Sequence, residues 1–84
     1  MRISGKAFGC GEAVTATIEV EDKRIRDIEF TIEGPSYLKE EARKIKEKLI
    51  GKEINKELIK DMLINSERKY LTLIAALHNA LNKS

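Results

Sequence analysis

Between Glu12 and Glu21 apolar and polar residues alternate without a break. Val14, Ala16, Ile18 and Val20 fall on one side, and Thr15, Thr17, Glu19 and Glu21 on the other. A period of two marks a strand with one buried and one wet face. Residues 26–33 repeat the pattern, with Ile28, Phe30 and Ile32 on the apolar side and Asp27, Glu29, Thr31 and Glu33 opposite. The polar stretch Glu21-Asp22-Lys23-Arg24 reads as a turn, so the two strands form a hairpin. Residues 2–8, bounded by Gly9-Cys10-Gly11, predict a short edge strand ahead of it.

The period changes after Gly34-Pro35, which stops the sheet because proline removes a ladder donor and glycine permits a sharp turn. Ser36 is placed to cap a helix, its hydroxyl accepting from an unpaired N–H of the first turn. Leu38, Ala42, Ile45 and Leu49 recur at helical spacing as one apolar stripe on an otherwise charged segment. Glu40 with Lys44, and Arg43 with Glu47, stand one helical turn apart as opposite charges. Gly51 fits the left-handed position that ends a helix. Asn55 is the expected cap of a second helix, with Ile54 and Ile59 spaced as a hydrophobic staple across it and Leu58, Met62 and Leu63 on its buried side. Asn65-Ser66 breaks that helix, and Ser66 is placed to cap a third. There Tyr70, Ile74, Leu77 and Leu81 form the main stripe, with Leu73 and Ala80 beside it. The terminal Asn82-Lys83-Ser84 is expected to fray. Sequential strands with short turns pair antiparallel, and the helices that follow must cover the apolar face. The prediction is one α+β domain over residues 1–84, two layers deep: a three-stranded antiparallel sheet covered on one face by about three helices.

Length sharpens this picture. A chain of 84 residues buries roughly 60–65% of its unfolded surface and has a thin core, so a partner subunit is expected on size alone. Lys and Arg number 16 against 14 Asp and Glu, interleaved, and the aromatics are two Tyr and two Phe, which argues against a nucleic-acid partner. The bias toward Lys, Glu and Ile, with no Gln, matches proteins of thermophiles. One cysteine makes no internal disulfide. No run approaches the roughly 18 apolar residues of a membrane span, so the expected location is cytoplasmic, without a membrane partner.

Candidate chemistry is sparse. Cys10, between two glycines, could present a thiolate to a metal or an electrophile, although a small residue in a strand connection explains it as well. No second cysteine is available for a four-ligand site. His78 lies off the third helix's stripe, with Ile74 and Asn82 at the positions where a ligating partner would stand. Gly9-Cys10-Gly11 is followed by a strand and not by the helix a phosphate cradle requires. Glu19, Glu21, Glu29 and Glu33 read as the wet face of the sheet.

Two related families share features with the chain. Residues Cys10-Gly11-Glu12 through Val20, followed by Ile25, Asp27-Ile28-Glu29-Phe30 and Gly34, resemble the U-type iron–sulfur cluster scaffolds of the IscU/NifU family. Those scaffolds begin their first hairpin with Cys-Gly-Asp and carry further cysteines after the matching glycine and near the start of the last helix. Here those places read Pro35 and Arg68-Lys69-Tyr70, so the resemblance leaves Cys10 as the one metal-binding candidate. The chain also resembles the accessory domain, or small subunit, of lipoate–protein ligases. The shared features are the glycine turn at Gly11, the alternating hairpin, a charged helix ending Leu49-Ile50-Gly51, and a C-terminal helix with Ala76-Leu77 and Ala80-Leu81. That family's Gly-Asp-Phe-Phe after the hairpin is replaced by Gly34-Pro35-Ser36-Tyr37. The resemblance implies a SufE/NifU-like fold, no catalytic residue and no cofactor on this chain. It also implies a catalytic ligase subunit that binds ATP and lipoate, contacted through Gly34, Pro35, Ser36, Tyr37 and Leu38. The expected function is a non-catalytic accessory subunit of a two-part lipoate–protein ligase. The alternatives are a divergent IscU/NifU-like cluster scaffold or a plain interaction module.

Overall fold

A computed structural model describes residues 1–82; of the three residues expected to fray, Lys83 and Ser84 lie outside the described residues, whereas Asn82 is helical. The unbroken alternation becomes β2 (Glu12–Glu21), the central strand of an antiparallel sheet between β1 (Arg2–Gly9) and β3 (Arg24–Glu33). Two-residue turns join the strands: Gly9 pairs with Glu12 across Cys10-Gly11, and Glu21 with Arg24 across Asp22-Lys23. Asp22 and Lys23 both take positive φ, 54° and 64°, the backbone of a tight hairpin turn whose twist matches that of the strands.

One register shift departs from the simple alternation. Glu19 pairs with Asp27 but Val20 pairs with Ile25, so Arg26 is an extra residue in β3. This bulge turns both Ile25 and Ile28 toward the helices, where they are buried. A strict period of two from residue 26 onward hides Ile25 from sequence inspection.

The helices are α1 (Ser36–Leu49), α2 (Lys56–Asn65) and α3 (Leu71–Asn82), the last preceded by a 3₁₀ turn at Arg68–Tyr70. The stripe on α1 is realised in full, with Leu38, Ala42, Ile45 and Leu49 all buried. Asn55 caps α2 as predicted, its Oδ1 accepting from the Glu57 N–H at 2.9 Å. Ser36 is not a cap. It is the first helical residue, Pro35 occupies the cap position, and among the described residues no side chain caps the first turn there. Proline's fixed φ suits that entry without a capping hydroxyl. Ser66 likewise ends α2 rather than starting the next helix, its N–H donating to the Met62 carbonyl at 2.9 Å. The 3₁₀ turn follows, so Tyr70 sits half-buried in that turn instead of leading the α3 stripe.

α3 buries Leu73, Ile74, Ala76, Leu77, Ala80 and Leu81, a wider apolar face than the predicted stripe. It lies across β1 and β2 on one side and receives α2 on the other, so two of its sides are interior. The approach to β1 is close. A Cβ added to Gly5 would come within 2.2 Å of the Ala80 nitrogen and 2.6 Å of the Ala76 carbonyl oxygen. Asn79 tightens the same contact, its Nδ2 donating to the Lys6 carbonyl at 2.7 Å.

α1 packs on β3, at the margin of the sheet. Phe30 and Ile32 face the helix layer as expected but are only half-buried, because among the described residues no further strand flanks them. The segment after α1 closes the other half of this margin. Ile25 donates to the Lys52 carbonyl at 2.8 Å and accepts from the Gly51 N–H at 2.7 Å, and Ile54 donates to the Lys23 carbonyl at 2.9 Å. At its centre Asp27 Oδ1 accepts from the Ile28 N–H at 2.9 Å and lies 3.2 Å from Lys46 Nζ on α1. The Lys46 ammonium first, and the Ile28 amide second, hold the Asp27 carboxyl below its ordinary value.

Two outcomes follow for stability. Gly5→Ala forces backbone against backbone and is expected to cost about 1–3 kcal/mol or more in chemical denaturation, although alanine favours a strand over glycine. For Asp27, a lowered folded pKa means a contribution present above the ordinary carboxylate range and lost as pH falls through the folded value. Below about pH 4 the wild type should therefore lose stability more steeply than Asp27→Asn, as read by denaturation at successive pH values.

Candidate functional site

Tight turns at both hairpins bring three chain connections to one end of the sheet. The β1–β2 turn, the Gly34-Pro35 link from β3 to α1, and the approach to α3 all lie there, since Gly9 pairs with Glu12 and Ala13 with Glu33. Glu12 stands between them. A Cβ on Gly34 would come 2.9 Å from the Glu12 Cβ, and one on Gly9 would come 2.8 Å from its Cγ and 2.5 Å from Thr72 Oγ1 at the start of α3. The two glycines thus leave room for the Glu12 stem and for α3. Glu12 Oε2 is buried and has no hydrogen-bond partner among the described residues.

Beside this junction sits an aromatic and cationic cluster. The rings of Tyr37 and Tyr70 meet edge to face, centroids 6.1 Å apart and planes at 69°. Lys69 Nζ lies 5.7 Å from the Tyr37 centroid and 5.1 Å from that of Tyr70, within cation–π range of both. Glu67 approaches the same ammonium at 3.6 Å. The Tyr70 hydroxyl first, and Glu67 with it, raise the Lys69 pKa above the ordinary lysine value, so its charge is secure at neutral pH.

The structure brings together most of the residues singled out from sequence. Gly34, Pro35, Ser36 and Tyr37 are exposed at this end, and Tyr37 retains 37% of its surface. Leu38 is fully buried and anchors the first turn of α1 to the core instead of facing outward. Cys10 is an exposed free thiol on the neighbouring turn. His78 is elsewhere: it lies about 9 Å along α3 from Thr72 by helical rise, with Nδ1 3.2 Å from Asn82 Nδ2. The acidic residues of the sheet are dispersed on its open face. Glu29 pairs with Arg2 at 3.7 Å and Glu21 pairs with Arg26. Among the described residues no three His, Cys, Asp or Glu side chains are placed to hold a metal. No described helix is long and apolar enough to cross a membrane. A separate groove of about 410 Å³ runs between α1 and α2 over Ile45, Leu58, Met62 and Ile74, rimmed by both signs of charge at Lys44 and Asp61.

Sequence inspection missed the coupling of Tyr37, Lys69 and Tyr70. It placed Tyr70 on a buried helical stripe, whereas the 3₁₀ turn rotates the ring toward α1. No family model matches the sequence, and no curated protein matches it.

The tyrosine pair is accessible to a double-mutant cycle. Tyr37→Ala, Tyr70→Ala and the double variant should reveal a coupling of about 0.5–1.5 kcal/mol in denaturation experiments.

Proposed function

We propose that the chain is a non-catalytic accessory subunit of a two-part lipoate–protein ligase. In this reading it supports lipoate adenylation by packing its Gly34-Pro35-Ser36-Tyr37 end against the catalytic subunit, which holds ATP and lipoate. The observation that carries the reading is Tyr37. It is an exposed aromatic in the first turn of α1, braced by Tyr70 and Lys69, within the segment through which the ligase resemblance implies contact. Aromatic side chains fixed before binding lose little rotamer freedom on docking and commonly anchor interfaces. An adenylating site must order its loops around ATP and an acyl chain, and a docked domain contributes by favouring the ordered state.

A second reading rests on Cys10, whose thiol is exposed at the same end of the molecule. It makes the chain a divergent cluster scaffold. Anaerobic reconstitution with iron and sulfide decides it: a visible chromophore that disappears in Cys10→Ser would place this reading first.

The ligase reading is tested by lipoylation of an acceptor domain with the cognate catalytic subunit, free lipoate and ATP. Added protein should stimulate the reaction. Tyr37→Ala should lower that stimulation by about tenfold, the cost of a central interface aromatic, with the variant folded at assay temperature by circular dichroism. Full activity of the catalytic subunit alone, unchanged by added protein, would overturn the proposal.

A further inference from the structure

We propose that the free edge of β3 is a docking site for an extended strand of a partner protein, one that alternates basic and apolar residues. This rests on the hydrogen-bond geometry of the sheet and not on the ligase reading.

Residues flanking a two-residue hairpin turn exchange both ladder bonds, and the exchange alternates along the strands from there. Gly9 and Glu12 flank the first turn, so Val14 is bonded to Ala7 of β1 and faces away from β3. Its partner on β3, Ile32, therefore turns its N–H and C=O off the sheet, as do Phe30 and Ile28 two and four residues earlier. The second turn gives the same answer from the other end. Glu21 and Arg24 are the bonded pair, so Ile25 points outward, as its bonds to Lys52 and Gly51 confirm. The bulge at Arg26 then allows Ile25 and Ile28, three apart, both to face the edge.

The outer groups of Ile25 are taken by the segment after α1, and the Ile28 N–H by Asp27. Phe30 and Ile32 remain, both with half-exposed apolar side chains, and Phe30 lines a groove of about 450 Å³ bordered by Asp27 and Glu29 of β3 and by Arg43 and Lys46 of α1. An added strand would pair with those backbone groups and cover those side chains together.

Charge selects the strand. On the open face the edge shows Glu29, Thr31 and Glu33, all exposed. An incoming strand places every second residue beside them, so basic residues fit there. Its other residues lie beside the half-exposed hydrocarbon of Phe30 and Ile32, where apolar side chains fit. A second copy of the chain is disfavoured. In two-fold antiparallel pairing, a register centred on Ile32 is cut short because the chain turns into α1 after Gly34, and each register centred on residues 28 to 31 sets carboxylates opposite one another. The pairs are Asp27 with Glu29, Glu29 with Glu29, Asp27 with Glu33, or Glu29 with Glu33.

The test uses the full chain, isotope-labelled, with capped heptapeptides alternating lysine and valine or glutamate and valine. Without peptide the Phe30 and Ile32 amides should exchange rapidly. The lysine–valine peptide at saturation should slow their exchange by about tenfold or more, and the glutamate–valine peptide should not. Glu29→Lys with Glu33→Lys should invert that preference while the amides of β2 stay protected. Equal protection by both peptides, protection on β1 alone, or no protection at Phe30 and Ile32 would overturn the proposal. Protection without peptide that grows with protein concentration would also overturn it, since a second copy would then occupy the edge. Because the readout needs no catalytic subunit, its failure is distinct from failure of the ligase reading.

Discussion

The seating of α3 on β1 sets the position of nearly everything else. A side chain at residue 5 would occupy the space taken by the helix backbone at Ala76 and Ala80, so the contact exists only because that residue is glycine. Close seating lets small residues of the helix meet the sheet backbone while Leu73, Ile74, Leu77 and Leu81 fill the layer around them. It also fixes where α3 begins. Thr72 comes to rest against Gly9, and the preceding turn carries Lys69 and Tyr70 to the side of Tyr37. The cluster at that end is thus a consequence of a backbone contact at the middle of β1.

The helices divide the work unevenly. α3 is interior on two sides and reads as apolar over most of its surface, whereas α1 has one narrow stripe and covers only the margin of the sheet. Such a stripe buries its own four residues well but leaves Phe30 and Ile32 partly in water. In a domain this small each incompletely covered apolar side chain is a noticeable fraction of the stabilising area. The bulge at Arg26, the Asp27–Lys46 pair and the strap from Gly51 to Ile54 protect half of the β3 edge. Edges are commonly protected by such devices, so the unprotected half stands out.

That unprotected half runs straight into Gly34-Pro35 and so into the first turn of α1, which bears Tyr37. The two surfaces are continuous along the chain, yet they offer different chemistry. The edge supplies backbone donors and acceptors beside carboxylates, and the first turn of α1 with the 3₁₀ turn before α3 supplies rings and an ammonium. A partner engaging both would combine strand pairing with an aromatic anchor, one giving register and the other a fixed point. Cys10 and the unpaired Glu12 oxygen lie at the same end and add polar groups without forming a ligand cluster among the described residues.

Sequence alone determined the elements whose periodicity is unbroken. β2, the α1 stripe from Leu38 to Leu49 and the Asn55 cap were legible because each depends on neighbours within a few residues. The antiparallel order followed from the short turns. Sequence misplaced the Ser36 and Ser66 caps because a serine beside a helix is a common pattern that the backbone need not use. It missed Ile25 because one extra residue at Arg26 resets the alternation locally. It gave residues at the Tyr37 end but not their arrangement. Tyr37 and Tyr70 are far apart along the chain, and their meeting depends on how closely α3 approaches β1. That distance is fixed by the absence of a side chain at Gly5, a property of packing in three dimensions that no local pattern encodes.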